Sequence, residues 1–219
     1  MKNKLRDLSL LPPDALVKTG DVDHADWNHK LFLGTLARSR FHLVRNLLGE
    51  RRGRRLLEIG YGSGVFLPEL AKYGEEVYGI DIHHEQKTVT EKLSAFGVTA
   101  ELVSGTAESM LWNDDFFDFI IAVSVLEFVS DLDAVCLEVR RTLKSSGSFV
   151  VVTPGQSPLL DFGLKMLTGK SAKEDFADRR SLVLPTLLKH FDVRKEITYP
   201  RRTNSLVRLY TALELTGKQ

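Results

Sequence analysis

The chain has 219 residues, 43% hydrophobic and 27% charged, with 16 glycines, 7 prolines and one cysteine. That length suits one domain with a modest attachment, and the composition excludes collagen-like, disordered and disulfide-scaffold proteins. Thirty Lys+Arg against 29 Asp+Glu leave a formal charge of +1, so bulk charge argues against a nucleic-acid partner, and Cys136 alone forms neither an intrachain disulfide nor a cysteine zinc site.

Taken in chain order, the first twenty residues hold Pro12-Pro13 and no sustained period, which predicts an irregular arm. The basic start at Lys2 and Lys4 is followed by Arg6 and Asp7, which interrupt any signal-peptide core. No apolar run approaches the roughly 18 residues that span a bilayer, so a soluble, cytoplasmic protein is expected. From Trp27 to Leu48, Leu31, Phe32, Leu36, Phe41, Val44, Leu47 and Leu48 recur at helical spacing, with basic residues opposite and Gly49 as a stop.

Strands and helices then alternate. Strands are predicted at Leu56–Ile59, Glu76–Asp81, Val98–Val103, Phe117–Val125 and Gly147–Thr153, with helices at Phe66–Ala71, Glu85–Ala95 and Leu132–Leu143. Apolar strands alternating with helices imply a parallel sheet covered on both faces. A helix near Leu182–His190 and two strands, Phe191–Thr198 and Leu206–Leu215, read as a closing antiparallel pair. The expected fold class is α/β, doubly wound, with a mostly parallel seven-stranded sheet and an N-terminal helical attachment. Residues 1–50 are expected to form an arm and covering helices, and residues 51–219 the main domain, divided into a core (54–153), a following segment (154–190) and the closing strands (191–215).

Charge is unevenly spread within this order. Seven arginines oppose one glutamate from Arg38 to Arg55, and eight acids stand without Lys or Arg from Glu101 to Val135. Asp161–Arg208 is basic again. Such blocks describe solvated faces or a polarised surface.

Leu57-Glu58-Ile59-Gly60-Tyr61-Gly62-Ser63-Gly64 lies where a strand runs into a helix. Glycine serves a sharp reversal and a close backbone approach by a ligand, and open α/β sheets bind nucleotides at such strand ends. A dinucleotide fingerprint needs a further glycine at the sixth position. Counting from Gly60 or Gly62, that position holds Val65 or Leu67, which disfavours a nicotinamide-dependent oxidoreductase. The Gly-Lys-Ser/Thr of a phosphate-binding loop is absent too.

Glu58-x-Gly60-x-Gly62-x-Gly64 resembles the first motif of the class I S-adenosylmethionine-dependent methyltransferases. Further segments match in order. Asp81 ends the second strand, Ala107-Glu108 follows the third, Asp118–Leu126 resembles the fourth-strand motif, and Leu143–Phe149 resembles the turn into the fifth. The resemblance covers about Arg54–Thr153. It implies that the glycine loop with Glu58, Tyr61 and Ser124 holds the methionine end of the cofactor, that Asp81 and Ile82 sit at the ribose, and that Ala107 and Glu108 lie at the adenine. Trp112, after Leu111, reads either as a ring stacked on or near the base or as ordinary core. Glu127-Phe128 departs from a common Glu-His and so removes one general base.

Methyl transfer from a sulfonium is an in-line displacement in which the protein aligns the acceptor and excludes water. No fixed triad is required, and none is seen. His24 and His29, before or within the N-terminal helix, are candidate bases; His83 and His84 read as loop residues. No metal site is expected. The signatures of base-amine, cytosine-carbon, arginine and catechol methylation are missing, which leaves a small-molecule or lipid-like acceptor. Leu159–Lys170, apolar with flanking lysines, reads as a packing helix or a peripheral membrane contact. The alternatives are a non-catalytic scaffold or regulatory subunit and, further off, the oxidoreductase.

Overall fold

Alternation along the central strands sends apolar side chains to both sides of one sheet. In the first strand, β1 (Gly53–Ile59), Leu56 and Leu57 point to opposite faces and both are fully buried. The computed structural model describes residues 8–20, 25–30, 33–155, 179–201 and 208–218. The remaining strands are β2 (Gly74–Asp81), β3 (Glu101–Ser104), β4 (Phe117–Val123), β5 (Leu143–Pro154), β6 (Phe191–Tyr199) and β7 (Tyr210–Gly217). Their order is β3-β2-β1-β4-β5-β7-β6, parallel through the first five, with β7 antiparallel to both β5 and β6. The chain reverses direction across the sheet between β1 and β4, which opens a crevice at the carboxyl ends of those strands.

One face is covered by the N-terminal arm, α1 (Leu33–Leu48), α2 (Leu67–Leu70) and α3 (Gln86–Ala95). The other carries α4 (Leu132–Thr142) and α5 (Arg179–His190). Phe41 of α1 stacks on Phe66 beside the glycine turn at 4.1 Å, a contact worth about 1 kcal/mol beyond its buried area. Asp131 caps α4 by accepting the Ala134 N–H at 2.9 Å, which contributes about 1 kcal/mol.

Several boundaries differ from the expected ones for local reasons. The predicted helix from Trp27 is a 3-10 turn, Ala25–His29, followed by α1 from Leu33. The Arg38 guanidinium donates to the Asn28 carbonyl at 2.6 Å, and Gly34 leaves no room for a Cβ beside that same oxygen. The arm is docked rather than loose: Leu11 is 1% exposed and donates its N–H to the Val65 carbonyl. Strand β3 begins at Glu101 because the Val98 N–H turns back to the Leu93 carbonyl past Gly97, which has a positive φ. Strand β4 stops at Val123 because Ser124 adopts φ 53°. The predicted segment Leu159–Lys170 lies outside the described residues.

The arginine block is largely a set of structural clamps. Arg51 donates to Glu214 at 2.7 Å, tying the end of α1 to β7, where Glu214 is 3% exposed. Arg54 and Arg55 both bind Glu76 on β2, at 2.9 and 2.8 Å. Their backbone N–H groups donate to Asp118 of the acidic block, which also binds Lys144. The arginine charges are thus met by Glu76 and Glu214, while Asp118 of the acidic block holds the start of β1 through its backbone.

Candidate cofactor site

The loop leaving β1 is shaped by three glycines with φ of 74°, 50° and 73° at Gly60, Gly62 and Gly64. A Cβ at Gly60 would lie 2.4 Å from Val125 Cγ2, and one at Gly64 would lie 2.9 Å from Val89 Cγ1. Glycine is thus required at both positions by backbone conformation and by space. The loop closes on itself and on the sheet through Gly60 N–H to the Ile80 carbonyl and Gly64 N–H to the Tyr61 carbonyl, each 2.8 Å.

Asp81, at the end of β2, reaches across to this loop. Its Oδ2 accepts the Gly62 N–H at 2.8 Å, while Oδ1 has only a long contact of 3.4 Å with the His83 N–H. His83 holds the other side of the same glycine. Its Nδ1 accepts the Glu85 N–H at 3.0 Å, so Nε2 carries the proton and donates to the Gly62 carbonyl at 3.0 Å. The Tyr61 ring meets the His83 ring edge-on at 4.8 Å. Two side chains from one loop therefore fix both the donor and the acceptor of Gly62.

Beneath the loop, Glu58 is 4% exposed. Burial pushes its carboxyl well above the usual carboxylate range, nearby Asp81 adds to the rise, and Arg40 opposes it. Burial and Asp81 likewise push the Tyr61 hydroxyl up. Glu58 Oε2, the Tyr61 hydroxyl, Ser63 Oγ and Ser124 Oγ are buried with no partner among the described residues. Buried polar atoms are ordinarily paired, so four such groups around one loop at the sheet switch point mark a ligand site. Ser124 itself is anchored by its N–H to the Val152 carbonyl at 2.7 Å.

Residues 57–151 match the family model of the methyltransferase domain. This match agrees with the class I, S-adenosylmethionine-dependent methyltransferases as the family that the glycine loop and Asp81 resemble. The chain is 31% identical over 98 residues to the sterol 4-C-methyltransferase strm-1 of Caenorhabditis elegans, covering 43% of this chain and 29% of that one. It is 33% identical over 104 residues to the phosphatidylethanolamine N-methyltransferase of Cereibacter sphaeroides, covering 46% and 51%. The matched region thus spans 29% and 51% of these relatives' own length. Among solved structures, the geranyl diphosphate C-methyltransferase of Streptomyces coelicolor A3(2) shares the fold with a TM-score of 0.65. That similarity holds at 13% identity over 96% of this chain and 90% of that one.

Within the methyltransferase domain, the site residues expected from the sequence fall in three places. Glu58, Gly60, Tyr61, Gly62, Gly64 and Asp81 are brought together as described, and Ser124 stands on the neighbouring β4 turn. Ile82, next to Asp81, is 74% exposed, and Ala107 is 7% exposed. Glu108 accepts from the Ser130 hydroxyl at 3.3 Å, linking the turn after β3 to the loop before α4. His24 lies outside the described residues. His29 lies in the 3-10 turn packed against α1, its Nε2 buried without a partner among the described residues.

Of the two readings of Trp112, the structure supports core packing. Its ring packs edge-on against Tyr78 and Phe117 at 5.9 and 5.1 Å, so it belongs to an aromatic core cluster. Leu111, beside it, is 82% exposed. Sequence reasoning read His83 only as a loop residue and passed over Arg40. Spacing two residues past Asp81 was the available signal for His83; Arg40 was hidden in the basic block. Among the described residues, no group of three or more His, Cys, Asp or Glu could hold a metal ion, and no helix is long and apolar enough to cross a membrane.

The residues present fit S-adenosylmethionine. Its ammonium and ribose hydroxyls are donors, and the site offers unfilled acceptors at Glu58 Oε2 and Asp81 Oδ1. When bound, the cofactor supplies a methyl group activated by a sulfonium leaving group.

Proposed function

We propose that the chain transfers a methyl group from S-adenosylmethionine to a small-molecule or lipid-like acceptor. The observation that carries this reading is the Asp81–Gly62–His83 arrangement over a buried, partly unpaired Glu58. Asp81 keeps acceptor capacity for the ribose after fixing the loop. The loop backbone and Glu58 receive the methionine end, Ala107 and Glu108 flank the adenine side, and Ser124 faces the reacting end. The chain's work is alignment and exclusion of water, because the leaving group is already activated.

Residues 1–50 serve as the lid of this site and 54–153 as its cofactor core, with 154–190 on the acceptor side. The docked arm and α1 support the first part of that division. The names of the sterol and phosphatidylethanolamine relatives support an apolar acceptor.

Incubation of the purified chain with methyl-labelled cofactor and a panel of sterols, aminophospholipids and phenols tests the reading. Label transfer to a member of the panel is expected. Cofactor binding with no transfer to any member would favour a non-catalytic scaffold.

A further inference from the structure

Glu127 stands three residues past the strained Ser124 and is 2% exposed, with Oε2 buried and unpaired among the described residues. Its turn rests directly on the cofactor loop: Val125 of the same turn is the side chain that leaves no room for a Cβ at Gly60. The turn that carries the acid therefore packs, through Val125, on the loop that leaves β1.

Charged and titratable groups face Glu127 from three packed elements. Arg40 of α1 lies close enough to Glu58 and Glu127 to draw both carboxyls down. Its guanidinium stacks over Phe41 at 4.8 Å, and its Nε is buried without a partner. Arg180 of α5 opposes Glu127 too, while donating to the carbonyls of Pro154 and Gly155 at the end of β5. Tyr210 of β7 is the third, and the Glu127 charge adds to the rise of its phenol. Burial outweighs both arginines and pushes the Glu127 carboxyl up to about 7. A buried acid kept only for structure would pair both oxygens; this one leaves Oε2 without a partner among the described residues.

We propose that Glu127 is the proton acceptor for methyl transfer and that the methyl acceptor attacks through a hydroxyl group. The inference rests on the methyltransferase reading above. The hydroxyl oxygen forms its bond to the methyl carbon, the carbon–sulfur bond breaks with its electron pair left on sulfur, and the hydroxyl proton passes to Glu127 Oε2. The carboxylate and the sulfonium are both neutralised, so charge and atoms balance. An ammonium acceptor is disfavoured because Arg40 and Arg180 would repel it. Phe128, 39% exposed, offers no ring nitrogen to share the task.

Carbon-13 NMR of the full chain labelled at glutamate carboxyls, with Glu127 assigned through Glu127→Gln, tests the proton-accepting state. With S-adenosylhomocysteine-binding protein, the Glu127 carboxyl should titrate near neutral pH; titration in the ordinary carboxylate range would overturn the proposal. Methyl transfer supplies the second arm, using p-cresol, which keeps its proton, and 4-nitrophenol in mildly alkaline buffer, where it is already ionised. Glu127→Gln should bind S-adenosylhomocysteine as the wild type does and lose about 100-fold in transfer to p-cresol. It should keep transfer to 4-nitrophenol, and its kcat/KM should lack the rise with pH toward 7 seen in the wild type. Equal loss on both probes, loss on neither, or a wild type that binds S-adenosylhomocysteine yet methylates neither would reject the role of Glu127. Failure of the wild type to bind S-adenosylhomocysteine would instead reject the underlying reading.

Discussion

Asp81 Oδ2 accepts the Gly62 N–H at 2.8 Å, so the residue that ends β2 fixes the loop that leaves β1. This bond separates two tasks of one carboxylate. Asp81→Asn retains an oxygen for Gly62, whereas Asp81→Ala removes it. Hydrogen exchange at the Gly62 amide should quicken by about tenfold or more in the alanine variant, the loss of a charge-assisted bond of about 1.5–3 kcal/mol. The asparagine variant should stay near wild type in exchange while still losing cofactor affinity, because its amide offers one acceptor oxygen in place of two.

Gly60→Ala should be the most damaging change in the loop. Its new Cβ would press on Val125 Cγ2 at 2.4 Å in a backbone with φ 74°. Left-handed conformation and overpacking together should cost about 3 kcal/mol. Adding Val125→Ala should recover only the packing part, and calorimetric melting of the single and double variants reads the difference.

How much of this was legible follows from which interactions are local. The glycine spacing and Asp81 stand in the sequence because a strand-turn-helix needs them close together in the chain. The mostly parallel sheet and its closing antiparallel pair followed from apolar strands alternating with helices and a final strand pair. Trp112 stayed open between core and base because nothing in its neighbours reveals Tyr78 and Phe117 packing on it from two other segments. The start of α1 was misplaced because periodicity continues through Asn28, whose carbonyl is captured by Arg38 ten residues on. Glu127 and Arg40 gained meaning only when the fold brought β4, α1 and β7 to one edge.

Acid stability should depend on Glu76. Hydrogen bonds from Arg55 and Arg54 lower its carboxyl to about 2. Because the folded-state value is depressed, the stability it contributes is present above the unfolded carboxylate range and is lost as pH falls from about 4.5 toward 2. Melting temperatures across that window should fall less steeply in Glu76→Gln than in the wild type.

Cys136 should be inert in the folded chain. It is 1% exposed on the core face of α4, and burial pushes its thiol up to about 12, so thiolate is scarce at neutral pH. Alkylation by iodoacetamide, followed by mass spectrometry, should be negligible in buffer and complete in denaturant. Rapid labelling of the native protein would mean that α4 opens readily.

The most direct test of the central claim is titration calorimetry of S-adenosylhomocysteine into the purified chain, with Asp81→Ala alongside. The site described here predicts one molecule bound per chain, in the micromolar range, weakened by about 10-fold or more in the variant. No heat of binding in a folded wild type, or equal affinity in Asp81→Ala, would contradict it.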